Sequence, residues 1–305
     1  MTGACATSKG MDMKNGFIPA CFTISLLMAL LAIPCGVSAA ESMFVSQELD
    51  ITLGYAGRAG AQIGPSSELD TELKYVVSPQ VTRDLLLRLG AQWEGSSFPA
   101  PRPLAAPATL QHANAIIGFD YQVADQWLMR AELQPGLYGD VIRLDARRFD
   151  VPLLMGFAYL VDADLQWFFG LRADVRSQYP VFPAAGFRWK FADLWTLNME
   201  FPDPHLEYDV NSRLQTYLGM GISADTYVVG DHYGDDRGIP KLNHATLDFT
   251  EVRLGPGFSW KPRPYLTLEA EAGYVLYRSW DFFDQNINPT GHPVPYLRLN
   301  CKARF

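Results

Sequence analysis

The chain has 305 residues, 48% apolar and 19% charged, with a formal net charge of -8 at pH 7. That acidic balance argues against a nucleic-acid partner, because phosphates require a basic surface. A single long apolar run excludes a bundle of membrane helices, and the apolar fraction excludes a disordered chain.

The run is Phe17 to Pro34, preceded by Lys14 and followed by Val37-Ser38-Ala39-Ala40. A positive start, an apolar middle and small residues at the end predict a secretory signal peptide over residues 1–40, cut after Ala39 or Ala40. The polar first dozen residues point to a start at Met11 or Met13. An uncleaved anchor is the alternative. Lipidation at Cys35 is a minor one, since Pro34 fits that signal badly. Cys5, Cys21 and Cys35 would leave with the signal. Cys301 alone would remain, so the mature domain, 41–305, can form no internal disulfide.

From there the chain alternates apolar and polar residues, segment after segment. Strands are predicted at 48–56, 68–77, 83–93, 113–123, 126–134, 150–161, 164–174, 184–191, 194–201, 205–210, 213–229, 245–260 and 265–277. In the third, Leu85, Leu87, Leu89, Ala91 and Trp93 share one face, while Arg88 lies on the other. A period of two means a strand with two different faces. The last segment, Pro293 to Phe305, puts Leu297, Leu299, Cys301, Ala303 and Phe305 on one side and Arg298, Lys302 and Arg304 on the other. It resembles the C-terminal sorting signal of bacterial outer-membrane proteins, with Phe305 as the terminal aromatic. That resemblance implies the barrel-assembly machinery as a partner and outer-membrane lipids as surroundings.

The links sort by length. Ser78-Pro79-Gln80, Ala124-Asp125, Asp162-Ala163, Ala192-Asp193, Asn211-Ser212 and Lys261-Pro262-Arg263 are tight, and the links between them are long. Pro202-Asp203-Pro204 is the exception, short where a long loop is due. Short turns at one end and long loops at the other characterise an up-and-down outer-membrane barrel; a soluble sandwich has no reason to sort them so. The expected fold is all-β: a transmembrane antiparallel barrel of about fourteen strands, with twelve as the alternative count. It forms one domain, with no spare segment large enough for a plug.

The segment from Tyr179 to Tyr227 carries Pro183-x-x-Gly186-x-x-Trp189, an apolar strand, Pro202 and Leu206-x-Tyr208. This pattern resembles a family of bacterial outer-membrane barrels described only as a domain of unknown function. The resemblance implies fold and location and transfers no catalytic residue. Physically, Pro183, Gly186 and Pro202 read as architecture, suiting a strand start, a close approach and a sharp turn.

A Lys or Arg facing lipid at mid-depth costs about 2–4 kcal/mol, so phase sends the strand charges inward. The candidate lumen-lining set is Arg88, Arg130, Glu132, Arg172, Arg188, Glu200, Glu251, Arg253, Glu269, Glu271, Arg298, Lys302 and Arg304. In the same phase lie Asp70, Glu72, Lys74, Lys190, Glu207 and Asp209. Opposite signs on neighbouring strands can pair across the ladder and simply hold the barrel together, which is favoured over a dedicated ion or substrate track. Across the seam between first and last strands, Asp50 is the candidate partner for Arg298, Lys302 and Arg304. The strand-end aromatics Trp93, Trp127, Tyr159, Trp195, Tyr227, Trp260 and Tyr277 suit the interfacial girdles.

Little else carries chemistry. None of the five histidines (His112, His205, His232, His244 and His292) lies two residues from a serine in a strand, as a barrel hydrolase would need. The loop Asp231 to Gly238 has the carboxylates to hold a divalent cation, through Asp231, Asp235 and Asp236, but not the spacing of a calcium loop; a solvated loop is favoured. No metal, cofactor or catalytic residue is assigned, and no enzyme activity is expected. Two functions stay open: a narrow pore for passive passage of small solutes, or a non-conducting structural or surface-interaction barrel. An outer-membrane enzyme is a distant third.

Overall fold

The structure is a computed structural model that describes residues 45–57, 67–98 and 106–305. The expected signal peptide and its cleavage site lie outside the described residues. By its contacts the chain divides into Met1–Ser42 and Met43–Phe305, and the second unit holds every described residue. Among the described residues no helix is long and apolar enough to cross a membrane, which says nothing of strands.

The strands are β1 (Val45–Ala56), β2 (Glu68–Pro79), β3 (Leu85–Ser97), β4 (Thr109–Ala124), β5 (Trp127–Leu133), β6 (Gly136–Gly139), β7 (Phe149–Asp150) and β8 (Leu153–Leu160). They continue as β9 (Leu165–Ala173), β10 (Val181–Ala192), β11 (Trp195–Asn198), β12 (His205–Asn211), β13 (Leu214–Val228), β14 (Thr246–Arg263), β15 (Leu266–Asp281) and β16 (Val294–Arg304). These sixteen segments are fourteen staves. β6 continues β5 in one register along β4: Ile117 faces Leu133 and Asn114 faces Gly136. Pro135, without a donor, interrupts that stave, and Pro152 separates β7 from β8.

Each stave pairs antiparallel with the next, and the ring closes between the last and the first. β1 pairs with β16 from Glu48↔Arg304 to Ala56↔Tyr296, and β12 pairs with β13. The result is a closed fourteen-strand antiparallel barrel. The terminal residue completes the seam: the Gln47 and Phe305 backbones each donate to the other, and the Phe305 ring stacks 5.9 Å from Tyr265.

Outside, the alternate apolar side chains stand exposed in a belt, among them Leu89, Ile117, Phe169, Trp189, Leu218, Phe258 and Leu299. Closure leaves every wall residue one face to the exterior and one to the lumen, so the period-two pattern becomes an apolar outside and a polar inside. The short links lie at the end where β1 starts and β16 stops. One turn is displaced from expectation: β2 runs on to Pro79, and the chain reverses at Val81 to Asp84, where Val81 and Thr82 donate to the Leu85 carbonyl.

The wall is not of even height. β11 has four residues and β12 seven, whereas their neighbours β10 and β13 have twelve and fifteen. Pairing between β10 and β11 ends at Arg188↔Asn198, followed by one bond from Met199 N–H to the Phe187 carbonyl. On the other side the Pro202 and Pro204 carbonyls accept from Ile222 and Met220. Two prolines in three residues remove the donors that would carry the β11–β12 hairpin higher. Above it, β10 from Val181 to Gly186 is paired only with β9. Pro183 therefore sits where a donor is missed least. Gly186 is needed for a close approach of backbone. The Met199–Glu200 backbone passes over it, and a Cβ there would lie 3.0 Å from the Glu200 Cα. Trp189 packs 5.7 Å from Phe191, and Tyr208 sits 4.9 Å from Trp195 on the adjacent strand.

Candidate functional site: the charged lumen and its covered mouth

Inward charges occur in tiers. The lowest centres on Arg88 of β3, whose side chain is 3% exposed. Its guanidinium meets Glu132 at 2.6 Å, Glu48 at 3.3 Å and Asp120 at 3.7 Å. Glu132 is two strands away. Between them stands Gly118, opposite both in register. Its missing side chain is the gap through which the pair forms: a Cβ there would lie 2.8 Å from the Glu132 Cγ and nearer still to the Ala131 carbonyl oxygen. Beside it Arg130 grips Asp120 with two bonds of 2.6 and 2.9 Å, the planar fork matching the carboxylate.

The upper tier centres on Arg278 of β15. It pairs with Glu68 of β2 and, at 2.8 Å, with Glu251 of β14. All three are buried. Arg253 also reaches Glu251, at 3.1 Å, and Arg298 stands 3.7 Å from Glu72. Opposite, Arg172 of β9 reaches over to β13, donating to the Ala224 carbonyl at 2.6 Å and to Asp225 at 2.8 Å. Ala224 lies on the edge of β13 that the low β11–β12 hairpin leaves without a strand, so Arg172 spans the dip in the wall.

The other candidates are placed as follows. Lys302 is opposite Asp50 in register, yet its ammonium turns to Glu269 at 2.9 Å. Arg304 lies opposite and 3.6 Å from Glu48, with a side chain 70% exposed. Arg188 meets Glu207 at 3.4 Å. Glu271 accepts from Tyr217 at 3.2 Å and from Tyr296. Glu200 lies beyond the end of β11, exposed in the link to β12, where its carbonyl accepts from Asp203 N–H.

Sequence reasoning missed Glu68 and Arg278 as a lumen pair. Glu68 shares the phase of Asp70 and Glu72, so that signal was available. Arg278 fell just past the expected end of its strand, which in fact continues to Asp281.

The long-loop end is covered. Phe98, Leu110, Tyr138, Val229, Leu247, Phe249, Trp280 and Phe282 form one buried apolar cluster there, joined by Tyr233 and Leu242 of the loop between β13 and β14. Phe98 and Trp280 meet edge to face at 5.4 Å. Tyr227, expected in an outer girdle, belongs to this cluster and is 4% exposed. His112 lies between the rings of Tyr138 (5.2 Å) and Tyr227 (6.4 Å) and stands 3.8 Å from Glu94. β6 leans across the mouth until Gly139 bridges Val228 of β13, a strand on the far side of the ring. Ser177 and Gln178, between β9 and β10, both donate to Asp248 of β14. No separate plug segment is required, because loops and strand tips supply the cover.

The loop from Asp231 to Gly238 winds into one short turn, Asp235–Arg237. Its carboxylates face separate partners: Asp231 meets His244 at 3.0 Å and Asp235 meets His232 at 3.4 Å. Hydrogen bonds from Asn243 and His232 hold the Asp235 carboxyl below the usual carboxylate range. Among the described residues, the one group of three carboxylates close enough to share an ion is Glu68, Asp70 and Glu251, and Arg278 already occupies two of them.

Two of the cavities among the described residues lie along the lumen. The larger, about 230 Å³, is bounded by β12 to β16 and includes Asp203, Glu207, Tyr217, Ser259, Glu271 and Asn300. The smaller, about 40 Å³, is lined by Thr52, Asp70, Glu94, Ser96, Ser223 and Arg253 among others. Arg298 lines both, so its side chain stands between them.

A family model described as Domain of unknown function (DUF6268) matches residues 105–291. Among solved structures, the COG4313 outer membrane channel from Pseudomonas putida F1 is similar with a TM-score of 0.44 at 9% identity, over 90% of this chain and 100% of that one. A Pseudomonas aeruginosa FadL homologue gives 0.40 at 9% identity, over 86% of this chain and 89% of that one. The NanC porin gives 0.39 at 12% identity, over 84% and 98%. Comparison with curated proteins returned no match. The barrel assignment rests on the strand ladder and not on these likenesses.

Proposed function

The chain belongs to the DUF6268 family, and from the two faces of its barrel we propose that it is a bacterial outer-membrane barrel forming a narrow pore for small solutes, covered at its long-loop mouth in this conformation. The observation that carries this reading is a charged inner wall enclosing a cavity of about 230 Å³, inside an outer wall of exposed apolar side chains. Such an exterior is at rest only against lipid, where closed barrels satisfy every backbone group. The seam between β1 and β16 supports insertion by the barrel-assembly machinery through the last strand, with Phe305 at its end. In this reading the lumen charges line the path, and the lower tier around Arg88 and Glu132 also ties the wall together. Acid–base or nucleophilic chemistry has no part in it.

The apolar cluster over the mouth favours a second reading, a barrel that does not conduct. Planar-bilayer recordings separate the two. The refolded protein is expected to give infrequent, discrete, ion-dependent steps, and a variant lacking residues 231–243 should open far more often. Silence from both proteins at high load would refute the pore and leave the non-conducting barrel.

A further inference from the structure

We propose that the larger lumen cavity is a binding site for a small organic cation carrying separated ammonium groups; this deepens the pore reading and rests on it for the route by which the ligand arrives. The cavity is lined by four carboxylates, Asp203, Glu207, Glu269 and Glu271, against two cations, Arg298 and Lys302. Both cations are already committed, Lys302 to Glu269 at 2.9 Å and Arg298 to Glu72 at 3.7 Å. Of the carboxylates, Glu269 has Lys302 and Glu207 has Arg188 and Gln215, whereas the Asp203 carboxylate makes no hydrogen bond or ion pair among the described residues and feels Arg253 only at longer range.

A second observation is independent of the carboxylates. Ser259 lines the same cavity and as a residue is 7% exposed; its hydroxyl has no hydrogen-bond partner among the described residues and opens onto the cavity. Asn300, also in the lining, donates to Thr52 at 2.8 Å while its Oδ1 receives nothing. A buried polar group without a partner is unfavourable, and such a group in a native structure calls for a ligand or an ordered water. Unmet acceptors, an unmet hydroxyl and spare negative charge define what fits. An ammonium has three donors, no acceptor and a positive charge.

The layout also selects against a metal ion. Glu207 is on β12 and Glu269 and Glu271 are on β15, three strand spacings or roughly 14 Å along the wall. A single ion draws its oxygens to within about 2–2.6 Å of itself, so it could not gather both sides. A flexible diamine can. The smaller cavity above is lined by Glu68, Asp70, Glu72, Glu94 and Glu251 with Arg253 and Arg298, and Arg278 beside it takes Glu68 and Glu251. Arg298 is then the positive divider that a cation leaving one cavity must pass to enter the other.

The test is calorimetric titration of the refolded full chain in detergent with 1,4-diaminobutane and, separately, with succinate, a dianion on a four-carbon frame. Saturable binding of the diamine and none of succinate is expected. Asp203→Asn with Glu207→Gln should weaken the diamine about tenfold or more, Ser259→Ala a few-fold, and Asp125→Asn, in a distant turn, should change nothing. Gel mobility without heating checks that each variant is a folded barrel. Equal binding of both compounds, no diamine binding by folded protein, or full binding by the double variant overturns the inference. Diamine binding without any bilayer conductance would refute the pore and keep the site. Steps with an anion-selective reversal potential and no diamine binding would refute the site and keep the pore.

Discussion

Replacing Arg88 by methionine removes the cation of the lower tier while keeping an unbranched side chain of similar length. Three carboxylates lose a partner, but not equally. Asp120 keeps Arg130 at 2.6 Å and is 26% exposed, and Glu48 is 22% exposed with Arg304 at 3.6 Å. Glu132 is 6% exposed, and its remaining cation, Arg130, stands 4.0 Å away. The cost therefore concentrates on one buried carboxylate, and breaking a buried pair from one side costs about 3–5 kcal/mol. The double variant Arg88→Met with Glu132→Met removes both charges and should recover most of that loss, since an apolar pair of similar volume is often neutral. Reversible guanidinium unfolding from detergent or lipid, followed by tryptophan fluorescence, reads the difference as a double-mutant cycle. A single-variant loss below about 1 kcal/mol would refute the reasoning. It would mean that water in the lumen screens Arg88 as it does a surface ion pair.

Two further outcomes follow from the same geometry. Leu299→Arg, placed mid-strand on the exposed face of β16, should cost about 2–4 kcal/mol in lipid and far less in water-exposed assays; equal stability in lipid would show that this face is not against the membrane. Trp280→Ala empties the mouth cluster, in which Trp280 is 2% exposed, and should cost about 3–5 kcal/mol while raising the frequency of bilayer steps; unchanged gating would separate the cluster from the closed state.

The sequence by itself determined the wall. A period of two cannot be met by any element but a strand, and alternate links of opposite length leave little but an up-and-down ring. Leu89 facing out and Arg88 facing in, the pairing of the last strand with the first, and the count of fourteen staves were all legible from those two patterns. Partnership inside the ring was not, because it depends on register between strands distant in sequence. Arg88 finds Glu132 only because Gly118 falls exactly opposite both, and Lys302, though level with Asp50, reaches Glu269 instead. The mouth was hidden for another reason. Tyr233 and Leu242 are apolar residues in an irregular loop, with no periodicity to announce that they are buried, and Tyr227 has the same strand-end position as a girdle aromatic. Only the closed ring brings loops from opposite sides within reach of one another, and it is that convergence which decides which strand-end aromatic faces lipid and which closes the lumen.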